Sequence, residues 1–437
     1  MFFFASSVIF LFVHSLPWFL DERRRSVFSP GKLSSLISLL TTLPYLIILN
    51  FAPEKSPLFS YMGNEFEESL FRFSLFYSLG YLFFVAGLYS KSSRWLVYIF
   101  LRFRSDISRR KIFPVLSVLF IIGAGAWFLR VQYAGGLVFL LENLAQRSNL
   151  LAGSGIYALF MDAAIYFSMV VCVYSCKYGA GAKKKLGLVF VFVVFAAMLS
   201  VFGGRKSTLY LLIFALMTWS LCVAPIKRPL RLAMPLLVFV PVYFVGVLAL
   251  RNSGADGPYL DGGSDFFQSI WDGLSDFFGN LSYVDTYVFI LHHFSTSPFW
   301  YGAGFPDILL SMVPQFSSVG RPPIDEGVYV RSLLDGFSVF PPTAADSMYP
   351  SSWPPESFGA GYMNFGVFGV LIYMFIRGVV VRSAFSAFKK SQADPILLYI
   401  YAFILLNFHL TNLRIVQTAL MLVGAAMIVL ICKWARR

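Results

Sequence analysis

Long apolar stretches separated by short polar connectors run along most of the chain. Eleven of them are long enough to cross a bilayer as helices, which takes about 20 residues each. They cover residues 2–20, 33–52, 69–89, 113–130, 154–176, 187–203, 207–224, 232–250, 357–377, 396–413 and 415–432. The pattern predicts an all-α polytopic integral membrane protein with about 11 transmembrane helices.

The composition supports this class. The 437 residues are 58% hydrophobic and 13% charged, more apolar surface than a soluble domain can bury. The stretch 2–20 lacks a basic lead and a small-residue cleavage site, so we expect a retained span rather than a signal peptide. The four cysteines lie in or beside apolar stretches without CxxC spacing, which favours a packing role.

Positive charge alternates between the connectors. Most of the 35 lysines and arginines fall in or beside every second connector: 21–25, 91–111, 177–185, 226–231, 377–390 and 433–437. The positive-inside rule places these connectors in the cytoplasm, with the C-terminus inside and the N-terminus outside. The net charge of +13 therefore reflects topology and does not indicate binding to nucleic acid.

The cations left on the other side are mostly arginines. They are Lys55, Arg72, Arg130, Arg147, Arg205, Lys206, Arg251, Arg321, Arg331 and Arg414. Arginine is suited to a bidentate grip on phosphate, so we predict an outward-facing anion site. Snorkelling or pairing with an outer acid is the structural alternative for each. In FGGRKSTLY (202–210), Gly203 and Gly204 allow a tight turn that directs Arg205 into a water-filled cavity.

One long segment outside the spans divides the chain into three parts: helices in 1–250, a large outer loop in 251–356, and helices in 357–437. The loop is rich in proline, glycine and aromatic residues, which favours short helices on an irregular path. Its piece YVDTYVFILHHF (283–294) is too short to span, and we expect it at the interface or capping the bundle. The Asp, Tyr, Trp and Phe content also fits a sugar-binding cleft.

Soluble-type chemistry motifs are absent from the sequence. There is no Walker loop, HExxH, GxSxG or DxD. His292 and His293 are adjacent, so on a helix they point about 100° apart and cannot share a metal. Charge is sparse at the predicted span centres, which argues against an ion path or proton relay. We expect neither metal nor cofactor.

Five stretches resemble, in order, segments of the Wzy-type oligosaccharide repeat-unit polymerases, which include the O-antigen polymerases. They are YAGGLVFLLENLAQRSNLLAGSG (133–155), FGGRKSTL (202–209), LALRNSG (248–254), MVPQFSSVGRPPIDEGVY (312–329) and PPESFGAGYMNFGVFGVLI (354–372). The chain departs from the family at Gly361, where many members carry glutamate before the tyrosine. Glu356 is the nearest outer acid.

The resemblance implies a membrane glycosyltransferase of C-type helical architecture, with its active face on the periplasmic side of the bacterial inner membrane. Its substrates would be undecaprenyl-pyrophosphate-linked glycans. The growing chain would pass from its lipid carrier to the non-reducing end of a fresh repeat unit. A chain-length regulator protein and membrane lipid are the expected partners, with no nucleic acid.

Preorganised arginines would stabilise the charge that develops on the departing pyrophosphate. The candidate ligands of that pyrophosphate are Arg147, Arg205, Lys206, Arg251, Arg321 and Arg414. The acceptor hydroxyl needs a base, for which Asp285, Glu356 and His409 are candidates. Tyr362 and Asn364 of the last motif are candidate glycan ligands.

Two other functions stay open on the sequence. An O-antigen ligase, which hands the polymer to lipid A core, shares the same chemistry and the outer arginines. A non-enzymatic transporter or flippase of lipid-linked glycans would need cations along a path through the membrane centre.

Overall fold

The computed structural model describes residues 2–21, 26–91, 94–105, 107–143, 150–151, 154–179, 181–202, 205–226, 275, 277–279, 281–312 and 320–434. Within these ranges the protein is helical and contains no strand. The predicted eighth span, 232–250, lies outside the described residues.

Sixteen α-helices are numbered here in chain order over the described residues. They are α1 Phe2–Leu20, α2 Pro30–Phe51, α3 Phe59–Met62, α4 Glu65–Tyr89, α5 Arg94–Leu101, α6 Ile112–Tyr133, α7 Leu137–Glu142, α8 Gly155–Tyr174, α9 Ala182–Ser200, α10 Arg205–Thr218, α11 Val284–Thr296, α12 Asp307–Met312, α13 Glu326–Leu334, α14 Glu356–Lys390, α15 Pro395–Asn407 and α16 Asn412–Trp434.

Six long helices are apolar enough to cross a membrane: α2, α4, α6, α8, α14 and α16, with small shifts at some ends. Three shorter apolar helices accompany them, within α1, at 207–223 and at α15. These findings establish a multi-pass helical membrane protein, whereas the number of eleven spans stays a prediction.

The two ends of the helix bundle differ in charge. Lys111 donates to the carbonyl oxygen of Cys432 at 2.7 Å, so the start of α6 and the end of α16 lie together, at what we call the basic end. The opposite, distal end carries the segment 320–355. At the basic end, Asp394 caps α15 by accepting from the backbone N–H groups of Ile396 and Leu397, the usual role of an N-cap aspartate.

Helices α4 and α14 cross at backbone contact because glycines line their interface. A Cβ on Gly87 would lie 2.3 Å from the carbonyl oxygen of Phe375, and one on Gly378 would lie 2.2 Å from that of Phe84. Small residues permit such close approach between membrane helices. This contact fixes the position of α14, which carries the candidate site.

Helix α14 is a hairpin of two helices rather than one span. A Cβ on Gly361 would lie 2.7 Å from the carbonyl oxygen of Gly369, although eight residues of continuous helix separate atoms by about 12 Å. The chain reverses at Phe365 and Gly366. The backbone angles of Gly366, φ of 61° and ψ of −147°, suit only glycine. We call 356–364 the half-helix α14a and 367–390 the long helix α14b.

The hairpin corrects the predicted span 357–377. The half-helix α14a runs toward the hairpin tip, the chain reverses there, and the long helix α14b continues to Lys390. Arg377 therefore lies within α14b and not in a basic connector, because Gly378–Val381 continue the apolar run. The prediction of charge-poor span centres is wrong at this position.

The predicted span 396–413 is also divided. Helix α15 ends at Asn407, and residues 408–411 form a non-helical link before α16 begins at Asn412. This link leaves backbone groups and the His409 side chain available for contacts with α14.

The outer loop packs onto the bundle where it is described. Residues of α11 from Thr286 to Leu291 are buried, and the helix contacts α4 and α14. Helix α13 is joined to the start of α16, since the backbone N–H of Asn412 donates to Glu326 at 3.1 Å. These contacts hold α11 and the segment 320–355, together called the distal cap, on the helix ends near the site.

Candidate functional site

A buried polar cluster forms where α14a, the 408–411 link and α16 meet. Glu356 begins α14a with a positive φ of 48°, which is uncommon for a residue with a side chain. Because the half-helix runs back from the hairpin tip, Glu356 lies about 12 Å below that tip along the helix axis. An acid at a helix N-terminus is favoured by the helix dipole.

Glu356 lies between a cation and a histidine. Nη2 of Arg414 donates to Oε1 of Glu356 at 2.9 Å, and Nε2 of His409 lies 3.1 Å from Oε2. Nη1 of Arg414 donates to Gln417 at 3.0 Å. The structure thus brings together three sequence-predicted site residues: two candidate bases, Glu356 and His409, and one candidate pyrophosphate ligand, Arg414.

The tautomer of His409 follows from its neighbours. Its Nδ1 accepts the backbone N–H of Ser357 at 3.1 Å, so the ring proton sits on Nε2. Burial lowers the pKa of His409 well below its usual value, and the positive charges of Arg377 and Arg414 lower it further, against the opposing effect of Glu356. His409 is therefore neutral, with its lone pair already engaged.

Arg377 adds a second cation at this level of the bundle. Its Nε donates to the carbonyl oxygen of Phe408 at 3.1 Å, at the C-terminal end of α15. Cations are favoured at such ends. With Arg414 and Glu356, the cluster carries one net positive charge, which suits an anionic ligand.

Helix α10 links the cluster to the FGGRKSTLY motif. Tyr210 lies within electrostatic range of Arg414, Glu356 and Arg377. Arg205 begins the same helix, about 8 Å from Tyr210 along the axis. The side chains of Arg205 and Lys206 lie outside the structural description, as do Arg147 and Arg251 altogether.

Asp285 lies outside the Glu356 cluster, and its carboxylate is held by two hydroxyl groups. Its two carboxylate oxygens accept hydrogen bonds from Tyr45 at 2.8 Å and Ser56 at 2.6 Å. Burial raises the pKa of Asp285 to about 6, although both hydroxyl donors act in the opposite direction. Its carboxylate is thus held by α2 and the adjoining link.

The two candidate glycan ligands lie inside the protein. Tyr362 packs between Phe76 and Phe299. Asn364 donates to the carbonyl oxygen of Ala360 and accepts from the backbone N–H of Gly302, so its amide stabilises the hairpin tip. Their contact with a glycan stays a prediction.

Arg321, the remaining predicted pyrophosphate ligand, is exposed in the distal segment. The carbonyl oxygen of Arg321 accepts the backbone N–H of Ala345 at 2.9 Å, which joins two parts of this distal segment. Three other described outer arginines interact elsewhere. Arg72 pairs with Glu68, and Arg331 pairs with Asp335. Arg130 lies over the ring of Phe202, 4.2 Å from its centroid.

Sequence reasoning missed Arg377, Tyr210 and Ser357. The signal for Arg377 is the apolar run GVVV directly after it, which argues for a continuing helix. No sequence pattern marks Tyr210 or Ser357, because their roles depend on which helices become neighbours. Among the described residues, no group of three or more His, Cys, Asp or Glu side chains is arranged to hold a metal ion.

Comparison with known proteins gives no identification. No protein-family model matches the chain, and neither the curated proteins nor the solved structures contain a significant match.

Proposed function

We propose that the chain is a membrane glycosyltransferase that polymerises glycan repeat units carried on undecaprenyl pyrophosphate at the periplasmic face of the bacterial inner membrane. The observation that supports it best is the Glu356–His409–Arg414 cluster. A glutamate carboxyl group and two arginines meet there in a buried setting. The ordered resemblance to Wzy-type polymerases supplies the substrate class.

In this proposal Glu356 is the group that receives the proton of the acceptor hydroxyl. Arg414 favours the ionised carboxylate, and Nε2 of His409 lies 3.1 Å from the same carboxylate. His409 is then a positioning residue rather than the base, because Nδ1 is occupied by Ser357. Asp285 remains the alternative base.

The departing pyrophosphate requires cations that are not already neutralised. Arg414 is paired with Glu356, so we assign this part to Arg147, Arg205, Lys206, Arg251 and Arg321. Arg377, on α14b beside the cluster, contributes a further positive charge. A preorganised set of donors would stabilise the leaving group without cofactor.

The proposal is tested with purified protein and a synthetic undecaprenyl-pyrophosphate-linked repeat unit. We expect products of several repeat lengths from the wild type. Glu356→Gln/Arg414→Met, which leaves neither partner of that pair as an unpaired charge, is expected to fold and to make no polymer. Polymer of normal length from the folded double variant would overturn the role of Glu356.

Arg205 is tested in the same assay. Arg205→Ala should abolish long products and Arg205→Lys should restore them poorly, because lysine lacks the bidentate fork. Arg72→Gln is the matched control, since Arg72 forms an exposed pair with Glu68. A full length distribution with Arg205→Ala would remove this residue from the site.

The embedded position of Arg377 favours keeping the flippase as a second candidate function. Loss of each activity in cells has a different consequence. Without a polymerase a single repeat is attached to the lipid A core, and without a ligase nothing is attached. Without a flippase, lipid-linked repeats accumulate on the cytoplasmic side, and the purified protein forms no glycosidic bond.

A further inference from the structure

In the segment 299–312, FWYGAGFPDILLSM, the large exposed side chains among residues 299–310 are apolar, and the single charged side chain is buried. Its single charged residue, Asp307, is 0% exposed and accepts a hydrogen bond from Tyr329 at 2.8 Å. Tyr301 and Leu309, in contrast, are 70% and 69% exposed, and Phe305 and Leu310 are also exposed. A loop surrounded by water has the opposite arrangement.

This exposed apolar surface begins at the hairpin tip. The backbone N–H of Trp300 donates to the carbonyl oxygen of Met363 at 2.9 Å, and that of Tyr301 donates to the carbonyl oxygen of Asn364. A Cβ on Gly302 would lie 3.9 Å from the ring of Phe365. The segment therefore adjoins the tip on the side where Phe365 is exposed.

Phe365 is also the first residue of an exposed apolar stripe. Phe368, Ile372, Phe375 and Ile376 follow it on α14b and are all exposed. Their spacing of three and four residues places them on one face of the helix. Because α14 is among the helices long and apolar enough to cross a membrane, we take the uncovered apolar face of α14b to contact lipid. The surface of 299–312 continues this lipid-facing stripe at its distal end.

We infer that residues 299–312 lie in the distal lipid–water interface of the membrane as a monotopic element that anchors the hairpin tip. Aromatic residues such as Tyr301 and Phe305 are enriched at that depth, and short apolar helices bury their outer face there. The occupant of this surface is bilayer lipid. The inference is independent of the proposed enzymatic function.

The test is electron paramagnetic resonance of the full-length protein in lipid nanodiscs, with a nitroxide on Leu309→Cys. We expect the label to collide more often with oxygen, which concentrates in lipid, than with a water-soluble nickel complex. Ser347→Cys, exposed elsewhere on the distal cap, is the control and should show the reverse preference. Wild-type protein treated with the label measures any background from the four native cysteines.

Leu310→Cys provides a second position if Leu309→Cys fails to fold. A label that prefers the nickel complex at either position would overturn the inference, because the segment would then face water. A label accessible to neither reagent would overturn it as well, because a second copy or a partner protein would then cover the surface.

Discussion

Arg414 and Glu356 form a buried ion pair, and each side chain depends on the other for its charge to be tolerated. Their side chains are 19% and 6% exposed. Removing one partner of such a pair typically costs about 3–5 kcal/mol, because the remaining charge stays buried. Stability data therefore measure the pair separately from any catalytic role.

We expect Arg414→Met and Glu356→Gln each to lower the unfolding free energy by several kcal/mol, and Glu356→Gln/Arg414→Met to recover most of the loss. The measurement is unfolding in detergent micelles as a double-mutant cycle. Arg72→Met, at an exposed pair, should change stability by less than about 1 kcal/mol. Additive losses in the double variant would contradict the coupling.

Asp285 leads to a pH-dependent prediction at the same scale. Its pKa is raised from 3.8 to about 6 in the folded protein, so the unfolded state releases this proton at lower pH than the folded state. Its contribution to stability is greatest below pH 3.8 and declines by about 3 kcal/mol as pH rises through 6. Asp285→Asn should remove this decline in melting temperature between pH 4 and 6. An unchanged pH slope in the variant would show that Asp285 is not its source.

At the scale of elements, the α14 hairpin depends on glycines at backbone contacts. Alanine normally stabilises a helix relative to glycine by up to about 1 kcal/mol. At Gly361 the added methyl group would meet the backbone of Gly369, and such overpacking costs about 1–3 kcal/mol.

Gly361→Ala should therefore lower the melting temperature of the protein in detergent. Gly424→Ala, in α16 with open space around the site, should leave it unchanged or raise it. Equal effects of the two substitutions would mean that α14a does not pack back onto α14b.

The hairpin also limits what sequence reasoning can recover for an element. The run from 357 to 377 has the length and apolarity of one span, so a single helix is predicted. The reversal depends on two features that length does not report: the left-handed backbone of Gly366 and the close contact of Gly361 with Gly369. Because the half-helix folds back onto α14b, Glu356 lies inside the protein instead of at its surface.

At the scale of the whole molecule, the charge pattern predicts a topology that labelling can measure. Ser347 lies in the distal segment and Lys389 near the basic end of α14b, and both are exposed. In intact cells, a membrane-impermeant maleimide should label Ser347→Cys and should label Lys389→Cys only after permeabilisation. The reverse pattern would invert the assigned orientation and place the Glu356 cluster nearer the cytoplasm.

The amino-acid sequence is enough to identify the membrane as the solvent in which this protein folds. Apolar runs of about 20 residues make a multi-pass helical membrane protein unavoidable, because backbone groups in lipid must be paired within helices. The sequence also indicated Glu356, His409 and Arg414 one at a time, from residue chemistry and position near the ends of spans.

The meeting of these three residues depends on how the helices pack against one another. Glu356 contacts residues 53 and 58 positions further along the chain, and helical periodicity carries no information about such distances. The same reason applies to Arg377, which the sequence assigned to a connector and the packing of α14b against the end of α15 placed inside the bundle. Local pattern sets the helices, whereas close packing between helices sets the site.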